Sequence, residues 1–440
     1  MSALKQAVVA SLSDYPCAKR VLIAYSGGLD SHVLLHVCSS IDALKTKLHA
    51  VYVHHGLLAE ADAWAGHCQQ TAMNLGVPCQ IIHVNAHAKS GESPEEAARN
   101  ARYTALKTLL SPGDLILLAQ HQEDQMETVL LQLFRGAGLR GLAGMPSHSS
   151  FGLGIMLRPF LFTSKQVLTD YANAQSLDWI EDPSNLDNRF TRNFIRNQVT
   201  PLLKQQWPQL DKTLARTARH CAEAEQLLAE QAEQLLSTID SDNNHLSIIE
   251  LTKLSFIKQK LVLRHWLQQF MTKLPSEQQL IQLLNAITEA KPDSQPALQL
   301  SAHVFKRYRN RLYCLPATPL HSYLPKRWHQ TDRVLVISNQ HSITAIKANS
   351  GILQSVWQDA IIDVRLRQGG EKIQLPYRQG SHSLKKLFQE AGVPIWERET
   401  IPLIYLNGCL AAIGSLWIDA KFFCQNNDCV QITMHYHSTH

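Results

Sequence analysis

The sequence predicts an α/β protein: a doubly wound parallel sheet, then a helical middle domain and a small α+β C-terminal domain. Three observations predict this. Over the first two hundred residues, short apolar runs rich in β-formers alternate with helical patterns, as in βαβ units. Polar residues gather at the carboxyl ends of those runs, where open parallel sheets bind ligands. From about Leu202 to Leu236 the composition shifts to Ala, Glu, Gln and Leu with helical periodicity.

The first strand is Val21-Leu22-Ile23-Ala24-Tyr25, and the runs Leu48–Val53, Gln80–Val84 and Leu115–Ala119 read as its neighbours, separated by helical stretches near residues 59 to 75 and 94 to 110. After the long helical segment, Asp240–His245 reads as a polar linker, helical periodicity resumes from Leu254 to Ala290, and Ala302–Tyr313 reads as one strand with Arg307, Arg309 and Arg311 on one face. The run near 315 to 350 is poorly patterned. Beyond it, Arg367–Glu371, a helical Ser383–Gly392 and the apolar segments Leu403–Leu406 and Leu410–Ile418 form a compact unit. The expected domains are 1–215, 216–320 and 356–440, with 321–355 as a linker.

Composition bounds the answer further. A chain of 440 residues exceeds one ordinary core and fits two or three domains. Its formal net charge of +5 is only mildly basic, a weak pointer to nucleic acid. No stretch approaches the apolar length that spans a bilayer, and residues 1 to 20 lack an apolar leader, so a cytoplasmic protein without a membrane partner is expected. The nine cysteines are scattered without a C-x-x-C pair, which argues against both a disulfide framework and a structural zinc.

Three clusters carry chemistry. Ser26-Gly27-Gly28-Leu29-Asp30-Ser31 joins the first strand to a helix. A helix N-terminus offers free N–H groups and a positive dipole end, so phosphate is its natural guest. Gly27 and Gly28 permit close backbone approach, while the Ser26 and Ser31 hydroxyls and the Asp30 carboxylate complete a shell for phosphate oxygens and Mg²⁺. The turn lacks the lysine of the Walker-type P-loop and the spacing of dinucleotide binders. From these six residues alone, an ordinary capped βα turn is an equal alternative.

In the second cluster, Ala119–Leu131, a helix beginning near Gln122 puts Asp124, Glu127 and Thr128 on one face, where two carboxylates suit an ammonium group. The alternative is an acid-rich first turn that complements the helix dipole. The glycine-rich stretch that follows, between Arg135 and Arg140, suits an anion-facing loop. In the third cluster, Arg189, Arg192 and Arg196 follow Glu181–Asn185 at helical spacing, a stripe suited to phosphate or to a plain solvated face. Arg99 and Arg102 are a weaker pair of candidates for the same anion.

The Ser26–Ser31 turn, His54-His55-Gly56-Leu57, Glu96–Tyr103, His121–Thr128 with Arg135–Gly138, Glu181–Asn185 with Arg192-Asn193 and Arg196-Asn197, and Leu384–Pro394 together resemble, in order and spacing, the tRNA(Ile)-lysidine synthetase family of PP-loop ATP pyrophosphatases. Glu123 departs from that pattern, which more often has Asp there. The resemblance implies a ligase that adenylates C2 of the wobble cytidine in a CAU-anticodon isoleucine tRNA with ATP, then joins free L-lysine to it, releasing pyrophosphate and AMP.

The resemblance also assigns roles. Ser26, Gly27, Gly28, Leu29, Asp30 and Ser31 would bind ATP, with His54 and His121 on its adenine or positioning side. Asp30 would act on Mg²⁺, directly or through water, and Asp124 and Glu127 would hold lysine. Asp30, Asp124, Glu127 and Arg192 would be the catalytic set, while Arg99, Arg135, Arg140, Arg189, Arg196, Arg307, Arg309, Arg311, Lys385 and Lys386 would meet phosphate or tRNA. The sequence leaves a homodimer open beside a monomer. The competing readings are another PP-loop tRNA-modifying or amide-forming synthetase, and an RNA-binding protein with an inactive loop. A thiolase with an iron–sulfur cluster is disfavoured by the missing C-x-x-C.

Overall fold

In the computed structural model, the described residues are 2–56, 60–87, 94–241, 245–271, 274–289, 297–317, 326–337, 341–425 and 428–436. Leu57 of the histidine motif and parts of the two expected linkers, 242–244 and 321–325, lie outside them. The chain divides into two compact units, Met1–Gln231 and Ala232–His440.

The first unit contains α1 (Ala3–Leu12), β1 (Val21–Ala24), α2 (Leu29–Ser39), β2 (Leu48–His54), α3 (Ala61–Asn74), β3 (Cys79–His83), α4 (Pro94–Leu109), β4 (Leu115–Leu117), α5 (Gln122–Phe134), α6 (Leu139–Leu142), β5 (His148–Phe151), β6 (Gly154–Leu157) and α7 (Lys165–Ala174). The sheet order is β3-β2-β1-β4-β6-β5. All neighbours are parallel except β5, which runs antiparallel to β6 at the edge. The expected parallel sheet is therefore extended by a hairpin whose His148-Ser-Ser-Phe151 strand is too polar to stand out as an apolar run.

Both faces are covered, which is why the central strands are apolar throughout. Val21, Ile23, Leu115 and Leu117 pack on one side with Val33, Leu34 and Val37 of α2. Leu22, Val51 and Ile116 pack on the other with Leu106 and Leu110 from α4 and its end. The strands thus end, and α2 and α5 begin, at one edge of the sheet. That edge carries the site.

After α7 come α8 (Thr191–Phe194), one π-helical turn at Ile195–Val199, α9 (Thr200–Gln206) and α10 (Leu210–Ser237). The expected single long helix is interrupted at Trp207, because Pro208 restricts the residue before it and cannot continue the ladder. Among the described residues no helix is long and apolar enough to cross a membrane.

In the second unit, the middle region is mixed rather than simply helical. β7 (His245–Ser247), α11 (Ile248–Thr252), α12 (Phe256–Leu267), α13 (Glu277–Thr288), β8 (Ala297–Leu300), β9 (His303–Tyr308) and β10 (Arg311–Pro316) build a four-stranded sheet, β7-β10-β9-β8, with helices packed around Trp266, Phe305 and Leu312. The segment read as one strand is a hairpin, turning at Arg309, whose φ is 52°, and Asn310. That turn ends the expected one-sided row of arginines.

The expected linker also gives way to structure. Lys326–Trp328, Val334–Val336, His341–Ala348 and Gly351–Leu353 are strands of two five-stranded sheets. His341–Ala348 pairs along its full length with Cys429–Tyr436, so these residues are integral to the C-terminal fold. Distant pairing of this kind leaves no local periodic signal. Ile362–Arg365, Leu403–Leu406 and Cys409–Ile413 continue one sheet, and Leu384–Glu390 is the expected helix.

Candidate active site

The Ser26–Ser31 turn closes on itself before any ligand arrives. The Ser31 hydroxyl accepts from Ser26 N–H at 3.1 Å and donates to Gly28 O at 3.0 Å, with Ser26 Oγ 3.0 Å away. Gly27 has φ of 81°, and a Cβ there would sit 2.6 Å from Ile180 Cδ1 and 2.9 Å from Cys68 Sγ. Ile180 N–H also donates to Gly27 O at 2.9 Å, so the segment before Glu181 clamps the turn. Gly28 caps α2 in extended conformation, leaving the first N–H groups of the helix open.

Asp30 stands in the first turn of α2, and its Oδ1 is buried with no hydrogen-bond partner. Its Oδ2 lies 3.5 Å from Nε2 of His121. His121 caps α5, and its side chain is 3% exposed. The same Nε2 is 3.4 Å from Asp124 Oδ2, and Nδ1 is 3.2 Å from Glu123 Oε2. Burial disfavours an imidazolium, but bonding to Asp30 and Glu123 and the charge of Asp124 outweigh it, and the pKa is pushed up to about 10.

The carboxylates of α5 are equally engaged. Asp124 Oδ2 accepts from His121 N–H at 3.1 Å, fixing the helix start. Arg192 donates to Glu127 Oε2 at 2.8 Å and Asp124 Oδ1 at 3.1 Å. Arg196 donates to Glu127 Oε1 at 2.6 Å and to the same Asp124 Oδ1 at 3.1 Å. Burial alone would raise the Asp124 pKa, yet His121, Arg192 and Arg196 hold it below the usual carboxylate range. Burial would likewise lower that of Arg196, but the bond to Glu127 and the charges of Asp124 and Asp30 raise it.

The sequence candidates therefore divide. Asp30, His121, Asp124, Glu127, Arg192 and Arg196 form one connected cluster beyond the carboxyl ends of β1 and β4. Arg196, expected among the phosphate contacts, is instead paired with carboxylates. Arg189 does not join the stripe: it precedes α8, is exposed and pairs with Asp187 at 2.7 Å, because Asp187 closes the preceding turn. His54, at the end of β2, contacts Asp62 at 3.0 Å and packs on the His83 ring, contacts that suit a structural role. Arg135 and Arg140 are exposed on either side of the α6 start and make no ion pair among the described residues. Arg99 is exposed and lies over the Tyr103 ring at 4.8 Å.

In the second unit, the expected phosphate role of Arg307 is overturned. It is 7% exposed and donates to Ile287 O at 2.8 Å, because its strand position points into the domain. Arg309 donates to Gln389 O at 2.6 Å, and Arg311 pairs with Asp240 at 2.8 Å. Lys385 and Lys386 are exposed, as a phosphate contact requires.

Sequence reasoning missed Glu123 as a structural member. Its Oε2 reaches both His121 and the N–H of Lys165 at 2.9 Å, where it caps α7. The longer side chain at the family's usual Asp position serves this double role. The pairing of Arg192 and Arg196 with α5 had a readable signal: an i,i+4 cation pair matches an i,i+3 carboxylate pair.

A parallel sheet with a glycine-rich phosphate turn lacking the Walker lysine, and acidic residues at the next strand end, defines a PP-loop nucleotide-binding domain. The PP-loop domain family matches residues 2–203, the TilS substrate binding domain 246–313, and the TilS substrate C-terminal domain 362–434. The tRNA(Ile)-lysidine synthase of Methylococcus capsulatus is 38% identical over 91% of this chain and 92% of its own length. That of Photobacterium profundum is 39% identical over 95% and 96%, and that of Serratia proteamaculans 40% identical over 90% and 91%. The chain belongs to the tRNA(Ile)-lysidine synthase family.

Proposed function

We propose that this enzyme ligates free L-lysine to C2 of the wobble cytidine in a CAU-anticodon isoleucine tRNA, using ATP in two steps. The C2 oxygen attacks the α-phosphate of ATP and pyrophosphate leaves. The lysine ε-amine then attacks C2 and AMP leaves with the oxygen. The observation that carries this reading is the continuous chain of contacts from Asp30, at the phosphate turn, through His121 to Asp124 and Glu127.

The open N–H groups of α2 and the hydroxyls of Ser26 and Ser31 receive the phosphates. The unpartnered, buried Asp30 Oδ1 is a donor fitted to Mg²⁺, which would supply charge neutralisation to the departing pyrophosphate. His121 holds Asp30 and Asp124 in fixed relation. Asp124 and Glu127 take the ammonium of lysine in place of the bonds they now make to Arg192 and Arg196, and a freed guanidinium is then available to negative charge on the adenylated base. Lysine's amine, with an ordinary pKa of about 10.4, must lose a proton before attack.

The second unit supplies surfaces for the tRNA, with Lys385 and Lys386 as backbone phosphate contacts. A cytoplasmic location follows from these substrates. The experiment is to incubate the protein with ATP, Mg²⁺, unmodified tRNA and labelled amino acids. Lysine alone should enter the RNA. Label from another amino acid, or none, favours the other PP-loop synthetases.

A further inference from the structure

Tyr377, in the C-terminal fold, occupies a backbone position that suits glycine. Leu375-Pro376-Tyr377-Arg378 closes with Arg378 N–H donating to Leu375 O at 3.2 Å, and Tyr377, the third residue, has a φ of 62°. With proline second and a positive φ third, this is a type II turn, whose third residue is ordinarily glycine or asparagine. A bulky side chain there carries strain, and outliers of this kind gather at binding sites. Burial of the ring offsets none of it: Tyr377 is 87% exposed and meets only Phe423 among the rings, edge-on at 6.1 Å.

Phe423, Pro376 and Trp417 line a cleft of about 300 Å³. Trp417 is held in place, its ring 5.4 Å from that of the buried Phe388. No charged side chain lines the cleft. Its polar side chains are those of Ser350, Ser415 and Gln431, which have no hydrogen-bond partner among the described residues. The volume lies at the small end of ligand clefts, which run from roughly 300 to 1,000 Å³. Neutral aromatic walls do not suit phosphate or an ammonium group, whereas flat rings with a few free hydroxyl and amide groups suit a nucleobase. Positive charge lies close by. The Leu384–Glu390 helix that presents Lys385 and Lys386 also supplies Phe388 to Trp417, and its Glu390 accepts from Arg378, the neighbour of Tyr377, at 2.9 Å. Lys421, two residues before Phe423, is exposed and has no ion pair among the described residues.

We propose that Tyr377, Phe423 and Trp417 form a stacking cleft for one unpaired nucleobase of the tRNA substrate. Bases inside a duplex are already stacked on their neighbours, so only a nucleotide outside a helix can enter. Stacking on aromatic rings holds such a base whatever its identity, and the free groups of Ser350, Ser415 and Gln431 are placed for its polar edge. The flanking lysines take the phosphates on either side of it. The inference rests on the tRNA substrate proposed for this chain, to which it adds a place for an unpaired base. An apolar protein segment is the rival occupant, and the test separates the two.

The test is filter binding of unmodified tRNA to the full chain across a salt series, with thermal unfolding of each protein, for the parent and the Tyr377→Gly and Tyr377→Phe variants. Glycine suits the turn and the lost ring is exposed, so Tyr377→Gly should unfold no earlier than the parent. It should nevertheless bind tRNA about 5- to 100-fold more weakly, the worth of one stacked base. Tyr377→Phe keeps the ring and should bind within about twofold of the parent. The salt slope should be the same in all three, because no phosphate contact is removed. Unchanged tRNA affinity in Tyr377→Gly would leave the cleft to a protein segment and overturn the proposal. Weaker binding with a shallower salt slope would reveal a lost phosphate contact in place of a stacked base and overturn it as well. A parent protein that binds no tRNA would instead overturn the ligase function itself, and this inference with it.

Discussion

Nε2 of His121 lies 3.5 Å from Oδ2 of Asp30, joining the phosphate turn to the first turn of α5 through a buried imidazole. Replacing His121 with Asn keeps a cap for α5 but removes the cation shared by Asp30 and Asp124. Lysidine formation should fall by about 100-fold or more, with KM rising for both ATP and lysine. A change confined to one substrate, measured by varying each in turn, would show that the imidazole serves one side only.

Glu127 tests the lysine side. Its carboxylate is 2% exposed and receives both Arg192 and Arg196. Glu127→Gln should raise the KM for lysine by about tenfold or more while that for ATP changes little. Glu127→Ala should also lower stability by ~3 kcal/mol, because it strips a buried partner from two guanidiniums. Urea unfolding and steady-state kinetics together separate the two effects. Equal effects on both substrates would place lysine elsewhere.

Gly27→Ala tests the turn. Alanine would carry the left-handed φ at a cost of ~1–2 kcal/mol, and its Cβ would also press on Ile180 and Cys68. Loss of ATP binding with reduced unfolding free energy is expected. Unimpaired nucleotide binding would show that the turn can open without consequence.

How much of this is legible in the sequence follows from how local each signal is. The β1 turn, α5 and its carboxylates are local: apolar periodicity, glycines and i,i+3 spacing all lie within a few residues. Arg307 reads as a surface cation because strand alternation says which residues share a face, not which face is buried. The hairpin at Arg309 is hidden because Arg-Asn is a weak turn signal beside Asn-Gly. The strand at 341–348 owes its existence to pairing with Cys429–Tyr436, far along the chain, and 334–336 in turn pairs with 342–344 at its edge. Of the contacts of His121, those to Glu123 and Asp124 lie within three residues, whereas the link to Asp30 joins α5 to α2, distant in sequence, and has no local signal.

Arg307 and Lys385 make a contrasting pair for RNA binding. Arg307→Gln should cost ~1–3 kcal/mol of stability, through Ile287 O and the burial of the side chain, without changing the salt dependence of tRNA binding. Lys385→Glu with Lys386→Glu should leave stability within ~0.5 kcal/mol and make the salt slope shallower by about 1 for each phosphate no longer neutralised. Filter binding across a salt series measures the slopes. An unchanged slope in the lysine variant would remove that helix from the interface.

Asp114 carries a pH signature for the fold. Its side chain is 1% exposed and bonds to Arg20 and to Ser111 N–H. Burial would raise its pKa, but these partners lower it below the ordinary value. Its stabilising contribution is therefore present above the unfolded pKa of about 3.9 and is lost as pH falls through the lower folded value. Asp114→Asn should cost ~1–3 kcal/mol at pH 7 and flatten the acid limb of a stability-versus-pH curve. An acid limb as steep as the parent's would assign the transition to other carboxylates.

The placement of ATP, with its phosphates on the Ser26–Ser31 turn, underlies every step proposed for this enzyme. A crystal structure of the full chain with a non-hydrolysable ATP analogue and Mg²⁺ tests it most directly. Phosphate density is predicted against the N–H groups that open α2, with the cation on Asp30 Oδ1. A nucleotide bound elsewhere, with that turn unchanged and empty, would contradict it.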